Sequence, residues 1–290
     1  MNTGAVLGLD IGGSSSRARL VEGGRILAEA QAPGANVALI DPQLVEERLT
    51  GLIRQLGSPR PAVCCAGAAG SEVPAARRRL EALLGKLLPD ARLLVVHDTR
   101  LILAAAGLDA GIALIAGTGS VAYARNAAGD EARAGGWGWM IGDEGSGAWI
   151  VRAALRELMR RHEIGEPMGV LGERLLAATQ GEDVLELIGR MQGYHEAGQW
   201  AAFAGAVFDA TADPGAVRII DSAAQSLAQL AGRAGAKVGV EGPVVMAGGL
   251  LTNFPDLASR LQARARSAIV LEEEPVAGAI RLAESLQRRL

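Results

Sequence analysis

The sequence predicts an α/β protein made of two similar domains, each built on a βββαβα unit. Three observations carry that expectation. Strand-like runs joined by glycine turns open the chain, and the same arrangement restarts near residue 111. Helix-like and strand-like segments alternate after each set, the pattern of a layered domain with a mixed sheet. The chain has 290 residues, 49% apolar and 21% charged, enough for one large domain or two ordinary ones. At that size roughly three quarters of the unfolded surface can be buried, so no disulfide staple is needed.

The elements follow in order. Residues 5–10 form an apolar run, 16–21 alternate, and Gly23-Gly24 turns the chain into 25–31, which reads as an antiparallel meander. Asp41-Pro42 opens a helix reaching about residue 56, with Asp41 as cap and Pro42 at its first position. A short buried strand is expected at 61–66, a basic amphipathic helix at 74–88 with Arg77, Arg78 and Arg79 on a solvated face, and a strand at 93–97. The pattern then restarts with an apolar run at 111–116, a glycine-hydroxyl turn at 117–120, an alternating run at 121–126 and a turn at Ala128-Gly129-Asp130. Helices are expected around 146–161, 169–180, 182–192 and 216–236. A late strand at 243–247 runs into Gly248-Gly249, and an amphipathic helix at 276–289 ends in Arg288-Arg289, which suits its dipole. The halves join near 101–109. The expected domains are therefore 1–108 and 109–290, with the final helix, about 276–290, free to pack back on the first.

Bulk properties narrow the function. A formal charge of -3 supplies no basic field, so a nucleic-acid partner is not expected. The opening MNTGAVLGLD has no cationic stretch or cleavage-like site, and no apolar run approaches the roughly 20 residues that span a bilayer. A cytoplasmic protein without a membrane partner is expected. Cys64 and Cys65 are adjacent, which disfavours a disulfide between them and leaves no CxxC pattern, so they read as strand thiols.

The chemistry concentrates at the glycine turns. In LGLDIGGSSSR, Gly12 and Gly13 let backbone N–H groups approach an anion closely, and Ser14, Ser15 and Ser16 add hydroxyls. Asp10 at the mouth of that turn would repel phosphate. It makes sense with a cation between them, and Mg2+ held through water suits the place. No Walker-type GxxxxGK[ST] occurs. Gly117, Thr118, Gly119 and Ser120 repeat the small-plus-hydroxyl chemistry in the second half, and two such hairpins facing each other would clamp a polyphosphate. Gly248 and Gly249, breaking the late strand, permit flat contact with an adenine or ribose.

The Asp-x-Gly-Gly hairpin, the Gly-Thr-Gly-Ser hairpin and the late Ala-Gly-Gly strand, in this order, resemble the actin, sugar kinase and Hsp70 superfamily. The stretch RAGGWGWMIGDEGSGAWI at 133–150 resembles the signature of the N-acetylglucosamine kinase and BadF/BadG/BcrA/BcrD ATPase family, which includes glucosamine kinases. The resemblance covers essentially the whole chain. It implies a duplicated ribonuclease H-like (actin-like ATPase) fold with a cleft that closes between the domains, ATP and Mg2+ as cofactors, and a homodimer. Asp10, Gly12, Gly13, Ser14, Ser15, Arg17, Gly117, Thr118, Gly119, Ser120, Gly248 and Gly249 become the expected nucleotide set, with Asp10 at the metal.

By the same likeness Asp98, in VVHDTR, is the base that takes the proton from O6 of an amino sugar. Its position after a strand also fits a helix cap. His97 stands where the family more often has asparagine. Asn36 resembles the sugar-contacting asparagine, and a lone loop asparagine is equally a turn former. Gly136 and Trp137 could offer backbone amides and an aromatic wall, and Asp143 and Glu144 could accept from ring hydroxyls or favour the helix that follows. Gly70, with Gly67, could line the sugar cleft. Trp139, Trp149 and Trp200 read as core. The expected activity is ATP-dependent phosphorylation of N-acetylglucosamine or glucosamine at O6, with a lean to the acetylated sugar. The alternatives are a BadF-type activator of a radical dehydratase, which would need thiolates for an iron–sulfur cluster, and a non-catalytic sugar-sensing regulator.

Overall fold

A computed structural model of the chain describes residues 4–289. The chain divides into two compact units, unit 1 comprising Met1–Asp109 with Leu271–Leu290, and unit 2 comprising Ala110–Val270.

Unit 1 opens with β1 (Val6–Ile11), β2 (Ser15–Glu22) and β3 (Arg25–Pro33), an antiparallel meander turned by Gly23 and Gly24, whose φ of 57° and 78° is the left-handed conformation glycine adopts without cost. α1 (Pro42–Gln55) starts as its sequence demands, with Asp41 accepting from the Gln43 N–H at 2.9 Å. β4 (Val63–Ala68), α2 (Pro74–Leu87), β5 (Arg92–His97) and α3 (Asp98–Ala105) complete the sheet, whose order is β3-β2-β1-β4-β5. β4 lies two residues later than the sequence suggested, because Gly67 and Ala68 continue the parallel pairing with Asp10 and Ile11. On one face Leu7, Leu9 and Ile11 pack under α1 and α2. On the other, Val6, Cys65 and Val96 meet Leu101 of α3 and Ala279 and Ile280 of the chain's last helix. That helix therefore belongs to unit 1, although it follows unit 2 in sequence. Its approach is close enough that a Cβ on Gly8 would meet the Ala279 Cβ at 3.0 Å.

Unit 2 repeats the plan with β6 (Gly111–Ala116), β7 (Ser120–Arg125) and β8 (Glu131–Gly135). There follow α4 (Gly147–Glu163), α5 (Gly169–Thr179), α6 (Val184–Gln192), α7 (Ala197–Ala201), α8 (Ala204–Phe208) and α9 (Pro214–Ala236). β9 (Val244–Ala247), α10 (Gly249–Asn253), α11 (Pro255–Gln262) and β10 (Ala268–Val270) close the unit, before α12 (Pro275–Gln287) of unit 1. The sheet reads β10-β9-β6-β7-β8, which is the order of the first sheet with β6 standing for β1. Two sheets with the same order and the same mix of antiparallel and parallel pairs make the duplicated α/β architecture explicit. Ile112, Leu114, Ala122 and Ala124 pack with α4 and α9 to form the core of this unit. No helix among the described residues is long and apolar enough to cross a membrane.

Candidate active site

In unit 1, β1, β4 and β5 are parallel, so their carboxyl ends share one edge of the sheet, the edge where open α/β sheets bind ligands. Asp10 stands there at the end of β1, 9% exposed, opposite Arg17 on β2 and Gly67 on β4. Burial pushes its carboxyl up to about 7, the charge of Asp98 adds to the shift, Arg17 opposes it, and Glu274 adds a little more. Arg17 is held by Glu274, just before α12, at 3.1 Å, and reaches the Ser15 hydroxyl at 3.4 Å.

The turn between β1 and β2 closes with the Gly12 N–H donating to Ser15 O at 3.0 Å. Gly34 and Ala35, beyond β3, back it by donating to Ser14 O and Gly12 O at 3.1 and 3.0 Å. A Cβ on Gly34 would run into the Gly13 carbonyl, whereas one on Gly13 would meet nothing within 4 Å. The outer side of the turn is thus open backbone, with Ser14 exposed beside Gly13. The Ser16 hydroxyl is buried and has no hydrogen-bond partner among the described residues.

Asp98 follows β5 as the first residue of α3, with His97 as the preceding cap. Its Oδ1 accepts from the Thr99 N–H at 2.8 Å and lies 2.9 Å from His97 Nδ1. The other ring nitrogen, Nε2, lies 3.3 Å from Glu72 Oε2. The loop after β4 reaches this place because Ser71 donates to Val96 O at 3.1 Å. Gly70, at φ 88°, approaches Asn36 so closely that a Cβ would sit 2.5 Å from its Oδ1. That Oδ1 already accepts from the N–H groups of Ala38 and Leu39 at 3.0 and 3.2 Å, so Asn36 forms its own turn while its amide NH2 remains a donor for other partners. One rim of unit 1 thus carries the Asn36–Gly70 contact and, two residues after Gly70, Glu72, which reaches His97 and through it Asp98.

In unit 2 the turn between β6 and β7 has the same edge position. The Gly117 N–H donates to Gly119 O at 2.9 Å, and the Gly147 N–H donates back to Gly117 O at 2.8 Å. Thr118 is exposed at the tip, while the Ser120 hydroxyl turns inward and donates to Glu144 O at 2.9 Å. Asp143 lies against this turn: its Oδ2 would sit 2.5 Å from a Cβ on Gly119, and its Oδ1 accepts from the Gly138 N–H at 3.3 Å. Burial raises its pKa, and the Gly138 and Ser120 amides hold it down. Asp143 has φ 55°, a left-handed conformation uncommon for a side-chain-bearing residue and one that collects at functional sites. Gly248, at φ 93°, packs on Ala116, where a Cβ would collide with the carbonyl, and Gly249 N lies near Gly117.

Residues 7–283 match the BadF/BadG/BcrA/BcrD ATPase family. The chain belongs to this family. It is similar to the N-acetylmuramic acid/N-acetylglucosamine kinase of Clostridium acetobutylicum, 33% identical over 171 residues, a match covering 54% of this chain and 56% of the relative. The chain thus spans just over half the length of that curated relative. A solved candidate N-acetylglucosamine kinase of Chromobacterium violaceum is 25% identical with a TM-score of 0.75, covering 98% of this chain and 100% of that one. One from Porphyromonas gingivalis is 20% identical with a TM-score of 0.77, over 98% and 99% of the chains, which shows the shared fold.

Within this BadF/BadG/BcrA/BcrD ATPase chain, the expected residues gather in two sets. Unit 1 brings together Asp10, Gly12, Gly13, Ser14, Ser15 and Arg17 at the first turn, and Asn36, Gly70 and Asp98 on the rim. Unit 2 brings Gly117, Thr118, Gly119 and Ser120 together with Gly248, Gly249, Asp143 and Glu144. Gly136 accepts from Arg133 at 2.6 Å and Trp137 is 74% exposed under the Arg133 guanidinium, which lies 5.9 Å from the ring. Trp139 and Trp200 pair with centroids 5.7 Å apart, and Trp149 packs on the unit 2 core. Sequence reasoning passed over Glu72 and Glu274, and it counted Ser16 among the hydroxyls offered at the first turn, whereas that side chain is fully buried. Nothing local marks the two glutamates, since each acquires its place through a distant strand or helix.

Mg2+ suits the donor set at the first turn. Asp10 is a desolvated hard oxygen donor whose carboxylate form burial disfavours, so a cation beside it would restore the charge balance. Among the described residues no group of three or more His, Cys, Asp or Glu is arranged to hold a metal by itself. A cation at Asp10 would draw its other ligands from water and substrate oxygens, the habit of Mg2+.

Proposed function

We propose that this chain is an ATP-dependent kinase that phosphorylates an amino sugar at O6, with N-acetylglucosamine favoured over glucosamine. The observation that carries the reading is Asp98 on the carboxyl edge of the unit 1 sheet, beside the Asn36–Gly70 contact and within electrostatic reach of Asp10. Family membership and the names of the relatives point the same way.

In this reading the open backbone of Gly12 and Gly13, with Ser14, Ser15 and Arg17, meets phosphate oxygens, and Asp10 would hold Mg2+, which would supply positive charge against the phosphates. Unit 2 contributes the turn Gly117, Thr118, Gly119 and Ser120, with Gly248 and Gly249 beside the nucleoside. Phosphoryl transfer asks little covalent work of the protein, so positioning and electrostatics carry most of the catalysis. Asp98 Oδ2 accepts the proton of the acceptor hydroxyl as the bond to phosphorus forms. Asn36 and Gly70 of unit 1, and Gly136, Trp137, Asp143 and Glu144 of unit 2, are the residues proposed to recognise the sugar, and pairing its hydroxyls lets a protein reject analogues that lack them. The reading extends to a cytoplasmic homodimer: buried free thiols suit a reducing compartment, and light scattering checks the dimer.

An activator carrying an iron–sulfur cluster is disfavoured. The chain's two cysteines are both buried and lie in opposite cores of the unit 1 sheet, and burial raises both thiols away from the thiolate form. The deciding measurement is steady-state kinetics with ATP and Mg2+ against N-acetylglucosamine, glucosamine, N-acetylmuramic acid, N-acetylmannosamine and glucose. A 6-phosphate product with N-acetylglucosamine giving the highest kcat/KM is expected, and no turnover with any of the five would reject the proposal.

A further inference from the structure

His97 sits where the resemblance leads one to expect asparagine, and it is flanked by acids on both sides. Its Nε2 lies 3.3 Å from Glu72 Oε2, and its Nδ1 lies 2.9 Å from Asp98 Oδ1 and 2.7 Å from Thr99 Oγ1. Ionised carboxylates only accept hydrogen bonds. A neutral imidazole has one N–H and can satisfy one of these two partners; only the doubly protonated ring satisfies both. The Thr99 N–H could donate to His97 Nδ1 at 3.3 Å, but Asp98 Oδ1 receives it at the shorter distance of 2.8 Å. The Thr99 hydroxyl, 2.7 Å from Nδ1, can accept from a protonated ring as Asp98 Oδ1 does.

We propose that His97 is a positioning residue for Asp98, held as an imidazolium by Glu72 so that Asp98 Oδ1 is fixed and Oδ2 is left for the acceptor hydroxyl. This rests on the reading of Asp98 as the base. An asparagine amide could donate neutral hydrogen bonds here, but it could not carry the positive charge that sits between Glu72 and Asp98. The pairing of His97 with Glu72 is thus a unit in which each residue explains the other. The ring faces two acids, Glu72 from the loop before α2 and Asp98 from α3, and Asp98 in turn acts on Asp10, which Glu274 and Arg17 also influence. Burial alone would lower the pKa of the ring, yet the hydrogen bonds and charges of Asp98 and Glu72 outweigh it and carry it up to about 9. Deprotonation would surrender one of the two bonds and loosen Asp98, so turnover is expected to fall on the alkaline side.

The test has two arms on the full-length protein. In the first, 15N-labelled histidine spectra follow the ring of His97, distinguished from His162 and His195 by the loss of its signals in His97→Asn. A doubly protonated ring at pH 7.5 is expected, with a midpoint that falls by about one pH unit in Glu72→Gln and likewise in Asp98→Asn. A ring that is neutral at pH 7.5, or whose midpoint ignores Glu72→Gln, overturns the proposal whatever the activity. In the second arm, the pH profile of kcat for sugar phosphorylation should lose its alkaline limb in His97→Asn and shift it downward by about one unit in Glu72→Gln, with the ATP KM changed less than about two-fold. An unchanged profile in both variants refutes the positioning role. If the wild type phosphorylates no sugar, the proposed function fails, and the first arm still decides the coupling of Glu72, His97 and Asp98.

Discussion

Unit 1 and unit 2 share one strand order, and each places a glycine turn on the carboxyl edge of its sheet, yet the charges around the two turns differ. The first turn is fed by its own strands, with Asp10 on β1 and Arg17 on β2 opposite each other, and Glu274 and Asp98 are close enough to shift Asp10. At the second turn, strands β6 and β7 supply no acid, and the carboxylate of Asp143 arrives from the loop ahead of α4. The backing also differs. Gly34, after β3, presses on the first turn, whereas Gly248, after β9, presses on the strand that leads into the second. A duplicated scaffold has kept the backbone edge, on which anion binding depends, and confined most of the side-chain charge to one copy. Proton transfer and metal binding are accordingly proposed for unit 1, and backbone recognition of the nucleotide for unit 2.

The strongest way to break this asymmetry is Asp98→Asn. Removing a general base costs about 10^2- to 10^4-fold in kcat, so sugar phosphorylation should drop by that much while nucleotide affinity stays within about three-fold. Retained turnover would take the chemistry away from unit 1.

Asp10→Asn sharpens the comparison through stability. A carboxyl whose pKa is raised from 3.8 to about 7 on folding contributes fully below pH 4, and that contribution is lost as pH rises through 7. Above pH 8 the buried charge costs up to about 4 kcal/mol in the protein without metal. Asp10→Asn should therefore raise Tm at pH 8.5 and leave it nearly unchanged at about pH 3.5, below the unfolded-state value, measured in chelator. An equal effect at both pH values would show that burial of charge is not what distinguishes the first turn.

Two glycines of the first turn separate packing from ligand approach. Gly34→Ala forces a methyl group into the Gly13 carbonyl and should cost about 1–3 kcal/mol in stability. Gly13→Ala faces open space and should leave stability within about 0.5 kcal/mol while weakening nucleotide binding. Equal losses of stability would mean that the turn is merely packed, with no open side for a ligand.

Much of this was legible in sequence because the signals are local. The meander turned by Gly23-Gly24, the Asp41-Pro42 helix start and the recurrence at residue 111 each rest on neighbouring residues. The short helices α7, α8 and α11 and the three-residue strand β10 went unanticipated, since segments of that length show no period to detect. The site was legible at the turns and illegible wherever it depends on remote contacts. Asn36 and Gly70 were singled out separately, but their mutual contact follows from β4 running on to Ala68 beside β1. Glu72 reaches His97 only because Ser71 is anchored to Val96, and the place of Asp143 against Gly119 follows from a left-handed residue in a loop of glycines.

The smallest contrast is between two buried serines, one at each turn. Ser120 donates its hydroxyl to Glu144 O at 2.9 Å, tying the second turn to the start of α4. Ser120→Ala leaves that carbonyl without this donor and should cost about 1 kcal/mol. Ser16 occupies the matching strand β2 one residue further along, with a hydroxyl that finds no partner among the described residues. A buried hydroxyl without a partner is a liability, so Ser16→Ala should be neutral or stabilising by up to about 1 kcal/mol. If Ser16→Ala were instead the more damaging of the two, its hydroxyl would have to be bonded in solution, and water would join the first turn as a fixed component that the second does without.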